Sequence, residues 1–244
     1  SFVSCEKWLD LQQEGEITAS QLYGKGEGYR TALNGLYQAM GRPDLYGREL
    51  SFGLVDCMSQ QYDLSNKDIF TTTHYIKASK FEYDDVSLVD YIDNIWTVAF
   101  KMIANANDLI QHIEQTDAHL FEKGEMEKKM IMGEAYACRA LMHFDMLRLF
   151  GPVYKLNPKA ESIPYNETSK VMALPLLAAD SVIHEKVLRD LDEAESLLAD
   201  SDPVIEGGPM ASLEDDQDVY LRYRQLRMNY YAVLVLKARV YLYA

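Results

Sequence analysis

The side chains here that could do chemistry are five histidines, three cysteines and a stretch crowded with aromatic residues. His112 and His119 are seven residues apart and would share a helical face only without the polar break at Thr116-Asp117, so surface histidines account for them better than a metal site. No Gly-x-Ser-x-Gly, His-Glu-x-x-His or phosphate-binding loop occurs. The cluster Gly24-Lys25-Gly26-Glu27-Gly28 neither follows an apolar strand nor has dinucleotide-loop spacing. Among 38 acids the sequence selects no catalytic pair, and it implies no cofactor. Residues 60–83 offer something else. Sugars present flat C–H faces that pack on aromatic rings, and hydroxyls that need polar partners. Tyr62, His74, Tyr75, Phe81 and Tyr83 are the candidate ligand contacts. The alternative, that these rings only seat a long loop on the helices, stays open.

Composition narrows the classes. A net charge of −14, from 38 acids against 24 bases, argues against a nucleic-acid surface, which needs clustered Lys and Arg. No apolar run is long enough to span a bilayer. Cys57 and Cys138 sit among apolar residues and read as small core hydrophobes. Ser1-Phe2-Val3-Ser4-Cys5 resembles the end of a bacterial lipobox, with Cys5 as the acylated first mature residue; a free thiol at an arbitrary start is the alternative.

The elements that must position these residues are helical. Residues 1–17 read as an extended tether and 18–244 as one helical domain. Thr18 and Gln21 have capping-box spacing for a helix that is interrupted by the glycines and ends at Gly41-Arg42-Pro43. Tyr46–Gln61 can form a second, antiparallel helix, and Tyr62–Asp84 shows no sustained period. Asp84-Asp85 cap a helix of about 30 residues, roughly 45 Å long, to Gln115. The strongest stretch, Gly133–Tyr154, is a helix stopped by Gly151-Pro152. On its wheel Glu134, Asp145 and Arg148 share one side, while Arg139 and His143 lie on the opposite, largely apolar side. A guanidinium there must find acid or carbonyl partners, which makes Arg139 a structural tie before it is a site residue. After a proline-rich connection, Ser181 is expected to cap a helix to Ala199. Asn229–Ala244 is a last helix, with its apolar run still in progress at Tyr243-Ala244, so a longer chain is expected, of which this is the N-terminal half.

Five segments, in order, carry a resemblance. Trp96, Phe100, Ile103, Asn107 and Ile110 precede a helix with Glu134, Ala135, Arg139, Ala140, Phe144, Leu147 and Phe150, which runs into Gly151 and Val153. Ser162-Ile163-Pro164-Tyr165 and the Asp190-Leu191-x-x-Ala194 helix follow, and the last helix carries Ala-Arg-Val-Tyr-Leu-Tyr. The pattern is similar to that of the SusD/RagB family. The resemblance implies a mostly α fold, with helical hairpins stacked as a tetratricopeptide-like α-solenoid and long irregular loops. It implies an outer-membrane, surface-exposed lipoprotein anchored at Cys5, with structural roles for Trp96, Asn107, Arg139 and Gly151. The implied function is non-enzymatic: capture of an oligosaccharide and transfer to a SusC-like TonB-dependent transporter. Peptide capture is the alternative, with a hydrolase or a non-binding scaffold further off.

Overall fold

The computed structural model describes residues 19–64, 72–170, 172–208, 219–221 and 223–244. The tether expected over residues 1–17, Cys5 and the Thr18 cap lie outside the described residues. The helices in chain order are α1 (Ala19–Leu22), α2 (Gly26–Met40), α3 (Leu54–Met58), α4 (Thr73–Ser79), α5 (Val86–Glu114), α6 (Gly124–Phe150), α7 (Ala179–Ser181), α8 (Leu188–Ala199), α9 (Val204–Gly207) and α10 (Tyr230–Tyr243). A π-helical stretch, Val182–Val187, joins α7 to α8.

Side-chain pairs give the direction of the long helices. Tyr29 of α2 meets Thr116 just past the end of α5, while Ala39 and Met102 line one surface depression. Trp96 packs edge-on against Phe150, and Tyr136 donates to Glu114, so α5 and α6 are antiparallel. Lys129 reaches Asp200 and Arg139 reaches Asp190, which reverses the direction again in α8. Tyr230 N–H donates to Asp202 and Lys237 pairs with Asp192, reversing it in α10. Every second long helix therefore runs the same way: α2, α6 and α10 form one layer, α5 and α8 the other. These are helical hairpins stacked as a tetratricopeptide-like solenoid. The sole β pairing among the described residues is one antiparallel bridge between Glu161 and Ala178.

Local chemistry sets the ends of these helices. The Asp85 carboxylate caps α5 by accepting from Ser87 N–H at 3.0 Å, and Asn229 caps α10 by accepting from Ala232 N–H at 2.8 Å. Gly151 ends α6 in an extended conformation, φ −83° and ψ 172°. Its requirement is space: a Cβ would lie 2.5 Å from the Leu147 carbonyl oxygen.

Three expectations are corrected. Tyr46–Gln61 is not one helix. Residues 42–53 are successive turns, and only α3 is helical, because Gly47 must pack against the Gly41 and Arg42 backbone and the buried Glu49 carboxylate takes the Leu54 N–H at 3.1 Å. Within Tyr62–Asp84 the chain forms the two-turn α4, too short to register as periodicity; its His74 ring stacks on Tyr91 at 3.7 Å. Ser181 does not cap its helix. The helix starts at Ala179, and the Ser181 hydroxyl donates to Glu185 at 3.0 Å.

Helix α6 is enclosed on nearly every side. Arg139 lies in the groove between α5 and α8, its Nε and Nη2 donating to the two Asp190 oxygens at 2.6 and 2.9 Å and its Nη1 to Asn107 at 2.8 Å. Tyr165 donates to the same Asp190 at 2.6 Å, and the Asn107 amide donates to the Asn166 and Thr168 carbonyls. One cluster thus fastens two helices and the long connection to α6. The opposite side is buried too. Glu127, Glu134 and Asp145 each meet arginine: Arg30 bidentately on Glu127, Arg224 and Arg227 on Glu134, and Arg148 and Arg239 on Asp145. Tyr37 and Tyr46 add phenol donors to Glu134 and Asp145. Each of these three buried carboxylates is thus matched by a cation, as a dry interior requires.

Candidate functional site

Toward the C-terminal end of α6 the acid-arginine seam opens into a cavity of about 580 Å³, which lies within the size range of small-molecule sites. The turn before α3 supplies Tyr46 and Leu50, α3 supplies Val55 and Met58, α6 supplies Asp145, Arg148 and Leu149, and α10 supplies Arg239 and Tyr243. Asp145 Oδ1 accepts from Arg148 at 2.9 Å and Arg239 at 3.1 Å, while Oδ2 accepts from Tyr46 at 2.6 Å. Burial, then the adjacent carboxylate, pushes the Tyr46 phenol well above its usual range and keeps it a donor. Both guanidinium groups lie over the buried Phe144 ring, at 5.8 and 5.6 Å from its centroid.

A second, more apolar cavity of about 280 Å³ adjoins the first. It is lined by Leu54, Met58, Tyr83, Ile92, Ile95, Leu149 and Phe150, so Met58 and Leu149 wall both. The two neighbouring cavities, taken together as a groove, are aromatic and aliphatic at one and charged at the other.

The sequence candidates divide around this groove. Tyr83, 48% exposed, is on its rim, and its hydroxyl contacts Met58 Sδ at 3.8 Å. Phe81, 54% exposed, sits edge-on to Tyr83 with ring centroids 6.2 Å apart. Tyr62 is exposed on the neighbouring turn and donates to the Phe52 carbonyl at 2.6 Å; Gln60 ties that turn to Ser79 at the end of α4. His74 and Tyr75 are not brought to the groove. Tyr75 donates to Glu49 at 3.2 Å, and burial, then Glu49, pushes its phenol up to about 12. Burial holds the stacked His74 imidazole below its usual range. Tyr46, Arg148 and Arg239 were missed. The Asp145-Arg148 pair at i, i+3 beside a helix stop was a visible signal, whereas Tyr46 and Arg239 had none.

Among the described residues no cluster of His, Cys, Asp and Glu could hold a metal ion, and no helix is long and apolar enough to cross a membrane. Cys57 and Cys138 are buried and unpaired; burial pushes both thiols up.

Residues 53–205 match the SusD-like family described as starch-binding and associating with the outer membrane. The chain belongs to the SusD/RagB family. Relatives include SusD-like protein P2 of Formosa agariphila, 24% identical over 82% of this chain and 36% of its own length. SusD-like protein P38 of the same organism is 27% identical over 80% of this chain and 34% of its own. Solved structures of SusD superfamily proteins share the fold. One from Bacteroides thetaiotaomicron has a TM-score of 0.61 at 21% identity, over 90% of this chain and 42% of its own. Another, from Bacteroides vulgatus, has a TM-score of 0.59 at 21% identity, over 90% and 43%. The chain thus spans about a third of the length of the SusD-like curated relatives it matches.

Proposed function

We propose that the protein is a cell-surface glycan-binding protein of the outer membrane, which captures oligosaccharide and passes it to a SusC-like TonB-dependent transporter. The single observation that carries the reading is the groove that has Tyr83 on its rim, with Phe81 edge-on beside that ring, and Tyr46 and the Asp145-arginine group at its charged end. Exposed rings at its edge can stack on sugar faces, and the hydroxyl, carboxylate and guanidinium groups match sugar hydroxyls. Membership of a family characterised as starch-binding and associating with the outer membrane supports the ligand class and the location. Acylation at Cys5 would provide the anchor, and contact with the transporter would add to retention. In this reading Tyr62 extends the aromatic rim, and His74 and Tyr75 support it from beneath.

The test is calorimetric screening of the full-length protein against neutral and acidic oligosaccharides, with product analysis after incubation. Binding without product is expected, weakened at least fivefold by Tyr83→Ala. Turnover would overturn capture, and tighter binding of peptides than of any glycan would favour the peptide reading.

A further inference from the structure

We infer that the groove selects an anionic glycan, one carrying carboxylate or sulfate groups, and that Arg148 and Arg239 are the residues that read the negative substituent. The inference rests on the glycan-capture reading above and narrows its substrate class. In a chain of net charge −14, the charged side chains lining the larger cavity are Arg148, Arg239 and Asp145, two cations against one anion. The side chains of the two arginines are 39% and 45% exposed, whereas Asp145 is nearly buried beneath them at 8%. The carboxylate is also committed: one oxygen takes Tyr46 and the other takes both guanidinium groups.

A guanidinium has five N–H donors. In this cluster Arg148 uses Nη1 and Arg239 uses Nη2 on Asp145, and the remaining donors line an open cavity. Two planar forks held over one ring by Phe144, with most donors unclaimed, suit the parallel oxygens of a carboxylate or sulfate better than single sugar hydroxyls. This differs from Arg139, whose charge is matched by a fully buried acid. Tyr46 and Tyr243 supply flanking rings for the sugar that carries the charge. The apolar half of the groove, at Tyr83 and Phe150, would take uncharged faces of the same chain.

The test titrates the full-length protein with three oligosaccharides of equal length: uronate-containing, sulfated and neutral. At least one acidic ligand should bind tenfold or more tightly than the neutral one, with affinity falling as salt rises from 50 to 500 mM. Uronate or sulfate preference identifies which anion is read. Arg239→Gln and Arg148→Gln should each lower the acidic-to-neutral affinity ratio about tenfold. Melting curves check that the variants fold, and the salt dependence of the unmodified protein tests the same charge recognition without any variant. Equal, salt-insensitive binding of neutral and acidic sugars overturns the anion assignment and leaves glycan capture standing. Failure of all three to bind overturns both, as does tighter binding of an acidic peptide than of any acidic glycan.

Discussion

The two sides of α6 bury arginine-carboxylate pairs to opposite ends. On the side facing α5 and α8, Arg139 and Asp190 are closed off, and every contact is doubled: two bonds between them, Asn107 behind the arginine, Tyr165 and Arg189 on the acid. Burial alone would raise the Asp190 pKa, but Arg139, Tyr165 and Arg189 outweigh it and hold the carboxyl below its usual range. On the side facing α2 and α10 the acids belong to α6 itself, and every arginine but Arg148 arrives from another segment. Going toward the C-terminal end, that seam passes from closed, at Glu127 and Glu134, to open at Asp145. The same pairing is scaffold where it is sealed and available to a ligand where it meets a cavity. Position in the stack decides between them, not residue type.

Removing one arginine from each side gives the largest contrast. Arg139→Leu leaves the buried Asp190 with Tyr165 and, as its one cation, the half-exposed Arg189, and should cost about 3–5 kcal/mol in urea unfolding. Arg239→Leu leaves Asp145 with Arg148 and Tyr46, and should cost about 1 kcal/mol or less. Equal losses would dissolve the distinction between a sealed and an open side.

A second contrast uses pH. His143 accepts Asn166 N–H at Nε2, so Nδ1 carries the proton that it gives to the Arg139 carbonyl, and burial drives its pKa down to about 3. Below the unfolded value of about 6.5 the unfolded chain binds a proton that the folded chain refuses. Stability should therefore fall as pH drops, by about 1.4 kcal/mol per unit at most, or about 2 kcal/mol between pH 7 and pH 5. His143→Leu should flatten that slope, as read from urea midpoints. A further loss, from Asp190, should begin below about pH 4, since its depressed pKa contributes stability only above that range.

Smaller effects sharpen the open end. Tyr46→Phe removes one donor from Asp145 and should cost about 1 kcal/mol in thermal unfolding. Phe81→Ala, at an exposed ring, should change stability by no more than about 0.5 kcal/mol, so that any loss of glycan affinity reports contact and not folding.

Much of the scaffold was legible. The long helices carry periodic apolar stripes and strong stops, and Arg139 announced itself by lying on an apolar side. The three acids of the other side did not. A wheel scores Glu134 and Asp145 as solvent-facing, because their partners Arg224 and Arg239 sit about ninety residues away in segments with no pattern linking them to α6. The turns over residues 42–53 and the short α4 escaped for a different reason: tertiary contacts at Glu49 and Tyr91 define them, and two turns give no period. For the candidate site, exposed aromatics could be named but not sorted. Tyr83 lines the groove, with Phe81 edge-on beside it, whereas His74 and Tyr75 pack inward, and only the path of α4 distinguishes them.

The order in which the seam closes bears on how the chain folds during synthesis. Arg30, the partner of Glu127, lies 97 residues earlier and is already made when α6 leaves the ribosome. Glu134 and Asp145 must wait 90 and 94 residues for Arg224 and Arg239. In that interval the already completed Tyr37 and Tyr46 offer them phenol donors. A nascent chain paused before Arg224 would thus carry a wet flank on which Glu134 has no cation and Asp145 has only Arg148. The arrival of Arg224, then of Arg239 on α10, would complete the pairs and lock the last hairpin in place.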